Sequence, residues 1–240
     1  SNCVISGNAN SGIRAYPHDF GQAELRISQC IVDGNLGPGI SNSPGTYGTA
    51  NLDVNSSTVS NNSDDGIVSL GCGRGFCGVT LDVSNSTING NVGSGINHSD
   101  LANVTNSTIS GNVADYGGGI YSCGTTNLLN TTITGNSASD GGGLFIVGSD
   151  MPYGCRGRVF ASNSIVANSA AGGDCALYID TGPWAATFTD AGHNIVEDGT
   201  CIDATSSNSG DPLLGPLAPN EGPTLTHALT PLSPAIDAGD

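Results

Sequence analysis

The amino-acid sequence predicts an all-β protein: a parallel β-helix (solenoid) of about seven to eight coils, followed by an extended C-terminal segment. Three observations support this prediction: a short motif recurs along the chain, its copies are closely spaced, and helix-forming residues are scarce. The 240 residues include 37 Gly and 24 Asn, and both residue types are poor helix formers. Apolar residues show no helical periodicity, so helical repeat folds are excluded.

The recurring motif consists of a small polar residue, alternating apolar and polar residues, Gly-Asn, and then a Gly-aliphatic pair. Its copies run over residues 3–8, 30–35, 57–62, 86–91, 107–112, 131–136 and 163–168. The central aliphatic residues, which end with Ile165 and Ile195, are 21 to 32 residues apart. A propeller blade would need about 40 residues. Each unit therefore fits one coil, with its aliphatic side chains in a central stack and its insertions in outer loops.

The last residue of each motif copy is an asparagine. Asn tolerates the left-handed backbone conformation of tight turns, and its amide is both donor and acceptor. We therefore expect a hydrogen-bonded ladder between coils. Its predicted members are Asn8, Asn35, Asn62, Asn91, Asn112, Asn136 and Asn168.

The motif copies and the end of the chain resemble those of a known group of proteins. Residues 106–112 (Asn-Ser-Thr-Ile-Ser-Gly-Asn) and 117–121 (Gly-Gly-Gly-Ile-Tyr) are similar to repeats of polymorphic outer-membrane proteins and bacterial surface adhesins. Residues 211–217, 220–229 and 233–240 resemble the closing segment of large bacterial β-helix surface proteins. The resemblance implies a secreted, right-handed parallel β-helix of the pectate-lyase-like superfamily, whose members include adhesins and carbohydrate-active enzymes.

The distribution of the motif divides the chain into two regions. Residues 1–205 are predicted to form the β-helix, whereas residues 206–240 are Pro-rich, lack the motif and are predicted to pack as an extended segment on the last coils. The first residues already belong to a motif copy, so the edge strands of the first coil would be exposed. We expect a further segment or self-association to cover them.

The eight cysteines are predicted to form disulfides. Cys3 and Cys30 hold the same motif position in consecutive coils, and stacked strands lie about 4.8 Å apart, within disulfide range. Cys72 and Cys77 flank a short loop that a disulfide would close. The last four cysteines allow three pairings. Of these, their order in the chain favours Cys123–Cys155 with Cys175–Cys201.

An extracellular or cell-surface location follows from the cysteine content, because disulfides persist in oxidising compartments. The chain is also rich in Asn-X-Ser/Thr sequences, which are acceptors for glycosylation. These candidate glycosylation sites are Asn55, Asn61, Asn85, Asn97, Asn103, Asn106 and Asn130.

The formal net charge of −16 restricts the possible partners. The five basic residues are all Arg, and the chain contains no Lys. Such a surface repels phosphate backbones and anionic lipid head groups, so nucleic acid is not an expected partner. No apolar run is long enough to span a membrane.

The densest acidic segment is residues 63–67, which contain Asp64 and Asp65. These two carboxylates resemble the acidic pair of polygalacturonase-like β-helix hydrolases, in which they share acid and base roles. His98 follows about one coil later, and Arg74 lies between them, where it would hold a uronate carboxylate. The other motifs of that hydrolase family are missing. Lyases of this fold commonly use Lys or Arg as a base, and this chain offers no Lys and only a few scattered Arg residues. Adjacent Asp residues are also common in plain solvent-exposed turns.

Calcium is the only cofactor that the composition favours, because carboxylate oxygens are its preferred ligands. Asp65 and Asp115 each follow a motif asparagine by three residues, and Asp140 follows one by four. These three residues are the candidate metal ligands. The alternative is a solvated acidic surface without bound metal.

The longest insertions fall between the last motif copies and bring together aromatic and basic residues. Aromatic faces stack on sugar rings, and Arg pairs with acidic sugar groups. The candidate ligand-binding residues are Tyr153, Arg156, Arg158, Tyr178 and Trp184. The alternative is that the aromatic residues only cover the core beneath their loops.

The sequence as a whole favours a β-helix scaffold, similar to an adhesin or passenger domain, that presents loops to a polysaccharide or cell-surface glycan. The alternative is a polysaccharide-degrading enzyme, a hydrolase or lyase, that uses Asp64 and Asp65. The sequence leaves open whether the protein is an enzyme.

Overall fold

The computed structural model describes residues 1–71, 77–149, 154–180, 184–202 and 208–239. These residues form 25 strands and no helix. The first fifteen are β1 (Val4–Ser6), β2 (Ile13–Ala15), β3 (Gln22–Ser28), β4 (Ile31–Asp33), β5 (Ile40–Asn42), β6 (Thr49–Asn55), β7 (Thr58–Ser60), β8 (Ile67–Ser69), β9 (Gly78–Ser84), β10 (Thr87–Asn89), β11 (Ile96–His98), β12 (Leu101–Thr105), β13 (Thr108–Ser110), β14 (Ile120–Ser122) and β15 (Thr125–Leu129). The others are β16 (Thr132–Thr134), β17 (Leu144–Ser149), β18 (Cys155–Arg156), β19 (Arg158–Ser162), β20 (Ile165–Ala167), β21 (Cys175–Ile179), β22 (Thr187–Asp190), β23 (Ile195–Val196), β24 (Leu214–Ala218) and β25 (Thr226–Leu229).

The strands stack in parallel, as predicted, and form three sheets. Sheet A has the order β1-β4-β7-β10-β13-β16-β20-β23, and sheet C has the order β3-β6-β9-β12-β15-β19-β22. Sheet B contains β2-β5-β8-β11-β14-β17, with β21 parallel and β18 antiparallel to β17. The chain passes through A, B and C once per turn, so β1–β3 form coil 1, β13–β15 form coil 5 and β20–β22 form coil 7. The fold is a parallel β-solenoid of about seven turns.

The core is a set of aliphatic columns, because side chains alternate between the two faces of each strand. In sheet A the inward column is Ile5, Val32, Val59, Ile88, Ile109, Ile133, Val166 and Val196. Val32 to Ile133 in this column are completely buried. Burial stabilises the fold by about 1.5–3 kcal/mol per large aliphatic side chain.

A ladder of asparagines connects the coils inside the turn between sheets A and B, as predicted for Asn8 to Asn136. Each asparagine donates from its backbone N–H and its Nδ2 to the Oδ1 of the asparagine one coil later, at 2.7–3.1 Å. Asn35 and Asn62 are fully buried. The ladder therefore satisfies polar groups that the core would otherwise leave unpaired.

The prediction that Asn168 belongs to this ladder is wrong. Asn168 is exposed and has a φ of 55°, and its backbone N–H is bonded to Glu197 instead. The register pairs Val166, not Ile165, with Ile133. In the copy at residues 163–168, the asparagine comes one residue too early relative to the paired strand of coil 6. Since a shift of one residue exchanges the two faces of a strand, Asn168 points away from the ladder.

The described residues contain three disulfides: Cys3–Cys30, Cys123–Cys155 and Cys175–Cys201. Cys3 and Cys30 occupy the first position of their motif copies. In the next four copies this position is a Ser or Thr. In several of those copies the backbone N–H donates to the hydroxyl of the next copy, as in Ser57 N to Ser86 Oγ at 3.1 Å. Cys72 lies outside the described residues, so the predicted pair with Cys77 is not described.

Residues 208–239 run back along sheet A. Strands β24 and β25 form an antiparallel hairpin, and Thr87 Oγ1 in coil 4 donates to the carbonyl of Leu225 at 2.6 Å. Near the other end, His193 Nδ1 lies 2.7 Å from the carbonyl oxygen of Ala238. Thr87 is consequently buried, whereas Val4, in the same outward column, is 70% exposed.

Candidate functional site

The structure separates His98 from Asp64 and Asp65, the other predicted catalytic residues that it describes. His98 and Asn97 are neighbours on β11 and point to opposite faces of sheet B. Asn97 is on the outer face, where its Nδ2 donates to Asp65 Oδ2 at 2.9 Å. His98 is 1% exposed and lies inside the solenoid, with Nε2 2.7 Å from Thr126 Oγ1. His98 therefore does not share a surface with Asp65, and Arg74 lies outside the described residues.

The two adjacent carboxyl groups differ in environment. Asp65 is half-buried, and its Oδ1 accepts the backbone N–H of Ser94 at 2.6 Å. Burial raises the pKa of Asp65 above its usual value, the bonds from Asn97 and Ser94 oppose this, and the charge of Asp64 adds to it. Asp64 is exposed and accepts the backbone N–H of Asp65. The pair thus contains one half-buried carboxyl with a raised pKa beside an exposed one.

The predicted calcium ligands do not form a group in the described residues, which contain no cluster of three or more His, Cys, Asp or Glu side chains arranged for a metal. Asp65 follows β7 in coil 3, whereas Asp115 and Asp140 belong to the turns of coils 5 and 6. Asp65 is turned toward Asn97 and Ser94. Asp115 and Asp140 are exposed on the turns that lead into sheet B.

An aromatic cluster occupies the outer face of sheet B in coils 5 to 7; we call it the tyrosine cluster. Phe145 lies at its centre and is 6% exposed. The ring centroids of Tyr116, Tyr121 and Tyr178 lie 5.1, 5.7 and 6.2 Å from that of Phe145. Tyr116 and Tyr178 remain about half exposed, at 49% and 50%. The cluster therefore presents two tyrosine rings to solvent on a rigid, buried base.

The tyrosine cluster is adjacent to Asn97 and Asp140. Tyr121 pairs with Asn97 in the register of sheet B, and Tyr116 forms a β-bridge with Asp140. Burial raises the pKa of Tyr121, and the neighbouring Tyr116 and Tyr178 add to this. Carboxylate, amide and phenol groups thus border the exposed rings.

The predicted ligand-binding residues are partly brought together. The guanidinium carbon of Arg156 lies 3.2 Å from the centre of the Trp184 ring, which is a cation–π contact. Both residues lie beside Gly148, at the end of the strand that carries Phe145. Arg156 is the antiparallel partner of Gly148. The backbone of Trp184 packs so closely on Gly148 that a Cβ added there would be 2.5 Å from the Trp184 carbonyl oxygen. Tyr178 belongs to the tyrosine cluster. Arg158 is exposed on sheet C, and Tyr153 lies outside the described residues.

The seven candidate glycosylation sites differ in exposure. Their side chains take part in surface hydrogen bonds, for example from Asn130 Nδ2 to Asn106 Oδ1 at 2.9 Å. Asn97 is bonded to Asp65. The exposed residues are Asn61, Asn106 and Asn130, and the half-buried ones are Asn55, Asn85, Asn97 and Asn103.

Sequence reasoning missed the tyrosine cluster, although a signal was available. Residues 117–121 (Gly-Gly-Gly-Ile-Tyr) and 141–145 (Gly-Gly-Gly-Leu-Phe) carry an aromatic residue at the same position of consecutive coils. Since the aliphatic residue before it faces the core, period-2 alternation places both aromatic rings outside. Stacked coils then put them side by side.

Comparisons with protein-family models, with curated proteins and with solved structures find no significant match to this chain. The described part of the chain contains no helix that is long and apolar enough to cross a membrane.

Proposed function

We propose that this protein is an extracellular or cell-surface β-helix scaffold, similar in role to an adhesin, that binds a glycan on the outer face of sheet B. The observation that carries the proposal is the tyrosine cluster, in which Tyr116 and Tyr178 stay half exposed around a buried Phe145. Exposed aromatic faces supply apolar contact area, and their phenol groups supply hydrogen bonds. Both are what a sugar ring requires.

The Arg156–Trp184 pair supports the same assignment. Its stacking holds a second aromatic ring and a guanidinium group at the end of the same sheet. The Cys123–Cys155 disulfide joins β18 to the strand region next to Tyr121 and so holds this part of the surface rigid. A preorganised surface binds with a smaller loss of entropy. The three disulfides also support an oxidising, extracellular location.

The test is binding of the folded protein to a glycan array, with Tyr178→Ala and Tyr116→Ala as variants. We expect both variants to weaken binding while thermal stability changes little, because both rings are half exposed. The matched control is Val113→Ala, another exposed apolar residue of coil 5 (55% exposed) that is not in the cluster. A loss of stability without a loss of binding would mean that the tyrosines only protect the sheet.

A second candidate function is polysaccharide degradation, and one observation favours it. Asp65, with its raised pKa, lies next to Asp64 in an exposed turn, and glycoside hydrolysis uses a protonated carboxyl beside an ionised one. The test is a screen for turnover of polygalacturonate, alginate and neutral glycans, with and without calcium. Turnover that Asp64→Asn or Asp65→Asn abolishes would establish the enzyme and replace the scaffold proposal.

A further inference from the structure

A second exposed aromatic surface lies at the other end of the solenoid. Phe20, in the turn between β2 and β3, stacks on Tyr47, in the equivalent turn of coil 2. The ring centroids are 5.2 Å apart and the ring planes differ by 12°. Phe20 is 75% exposed and Tyr47 is 49% exposed. We call this pair the Phe20 stack; it presents a free ring face rather than covering the core.

The backbone of both turns is strained. Phe20 has a φ of 60° and Tyr47 a φ of 59°, in the left-handed region that bulky residues rarely adopt. Each such residue costs about 1–3 kcal/mol and persists where the surroundings enforce it. Here Phe20 N donates to the Thr46 carbonyl at 2.9 Å, and Thr46 N donates to Asp19 Oδ1 at 2.8 Å. Each of the two neighbouring turns therefore carries an exposed aromatic residue whose backbone has a conformation that Gly or Asn would adopt at lower energy.

The Phe20 stack and the tyrosine cluster both adjoin sheet B. The turns of the stack directly follow β2 and β5 of sheet B, and Tyr121 lies on β14 of that sheet. Tyr47 belongs to coil 2 and Tyr121 to coil 5, so three coil steps of about 4.8 Å separate them by about 14 Å along the axis. In between, the outward column of sheet B carries only short side chains. These are Ser41, Val68 and Asn97.

The charge of the surface limits the ligand. The chain has a net charge of −16. Asp140 forms a β-bridge with Tyr116 of the tyrosine cluster. Asp65 is bonded to Asn97, the register partner of Tyr121.

This negative charge disfavours a polyanion such as a polyuronate, although Arg14 and Arg156 place one positive group at each end of sheet B. A protein partner is less suited as well, because a stable protein interface buries about 800 Å² on each side, whereas the Phe20 stack offers only two stacked rings. A sugar ring needs only a single ring face.

We propose that the Phe20 stack is a second ring-binding site, and that the ligand is an uncharged polysaccharide long enough to contact both the stack and the tyrosine cluster. This inference rests on the proposed glycan-binding function and extends it. Two weak sites on one rigid body bind a long chain more tightly than a short one, because the second contact is made at a high effective concentration.

The test uses calorimetric binding of neutral di-, tetra- and octasaccharides from the glucan or chito-oligosaccharide series that the glycan array identifies. The key variant is Phe20→Asn, since Asn tolerates the left-handed conformation and the variant removes only the ring. We expect its thermal stability to equal or exceed that of the wild type, and its affinity for the octasaccharide to fall about tenfold. Phe20→Trp keeps a ring and should bind like the wild type. The matched control is Leu36→Asn, which removes an apolar side chain of coil 2 that is 67% exposed.

The outcomes separate this inference from the proposed function. If affinity rises with chain length and Phe20→Asn removes that rise, the inference is supported. If Tyr178→Ala weakens binding and Phe20→Asn changes neither affinity nor its length dependence, the second site is refuted while the proposed function stands. If Phe20→Asn destabilises the protein and leaves binding intact, Phe20 is structural and the inference is refuted. If only acidic glycans bind on the array, the inference is refuted while the proposed function stands. If no glycan binds, both are refuted.

Discussion

Asn97 donates a 2.9 Å hydrogen bond from its side-chain amide to the carboxylate of Asp65, across the gap between two coils. The backbone N–H of Ser94 is bonded to the other carboxylate oxygen at 2.6 Å. Both bonds favour the ionised carboxylate, whereas burial favours the protonated form and raises the pKa of Asp65. The charge state of Asp65 thus depends on a neighbour in the next coil.

Replacing Asn97 by Leu is expected to raise the pKa of Asp65 further, because the substitution removes a bond to the ionised form and adds apolar surface. The pKa is measured by NMR titration of the carboxyl carbons. Asn127→Leu serves as the control, since Asn127 is exposed and bonded to Asn103 on sheet C. An unchanged or lower pKa of Asp65 in Asn97→Leu would contradict the assigned role of the amide.

The buried His98 is expected to make the protein less stable in mild acid. Burial lowers the pKa of His98 to about 4, from 6.5 in the unfolded chain. Its contribution to stability is therefore full above pH 6.5 and is lost as the pH falls from there toward 4, because only the unfolded state takes up the proton. The loss amounts to roughly 3 kcal/mol.

Urea unfolding of the wild type and of His98→Gln, measured across this pH range, isolates the contribution of the histidine. The free energies of the two proteins should converge as the pH falls. Asp65 and Asp100, whose burial raises their pKa values, act in the opposite direction but are common to both proteins. His18→Gln, which changes an exposed histidine, is the matched control. Parallel curves for His98→Gln would refute the prediction.

Asn62 is expected to be essential for stability. Its removal leaves the amide groups of Asn35 and Asn91 without their partners in a fully buried column, and each buried unpaired group costs about 1–3 kcal/mol. We expect Asn62→Ala to lower the free energy of unfolding by at least about 3 kcal/mol in urea denaturation.

Two controls accompany that measurement. Asn127→Ala should change stability by less than about 0.5 kcal/mol because Asn127 is on the surface. Asn168→Gly should also have a small effect, since Asn168 lies outside the ladder at a φ of 55° that Gly adopts freely. A large loss in Asn168→Gly would show that the described register of the last coils is wrong.

The Cys3–Cys30 disulfide is expected to hold coil 1 on the stack. The disulfide links two residues that are 27 apart in the sequence. The double variant Cys3→Ser/Cys30→Ser should therefore lose about 3 kcal/mol of its free energy of unfolding. Ser fits this column, because Ser57 and Ser86 occupy it in later coils. The midpoint of guanidinium unfolding measures the loss, and hydrogen exchange should show increased opening in β1 to β3. Identical midpoints for the wild type and the double variant would overturn the prediction.

The fold was predictable because the repeat is short and its signals are local. Each copy places an aliphatic residue such as Ile88 in the core and an asparagine such as Asn91 in the ladder, whatever the loop lengths between them. The register of the last copy was not predictable from one strand alone. Ile165 and Val166 are both suitable core residues, and only pairing with Ile133 decides which of them faces inward.

The candidate site was less predictable, for two physical reasons. The inward position of His98 follows from alternation once Ile96 is placed in the core, so the sequence carried that signal and the proposed catalytic grouping overlooked it. The Phe20 stack had no such signal, because it depends on two left-handed turns, and bulky residues rarely adopt them. Likewise, no local feature of residues 208–239 indicates that Leu225 reaches Thr87 in coil 4.

The asparagine ladder has a direction, because every step from Asn8 to Asn136 donates toward the later coil. The amide dipoles therefore add along the axis, whereas those of sheet backbones largely cancel. Hydrogen bonds in such a chain polarise one another, which strengthens each bond by about 10–30%. A coil added to a long column is consequently held more tightly than one added to a short column, so growth of the solenoid becomes easier once its first coils have formed.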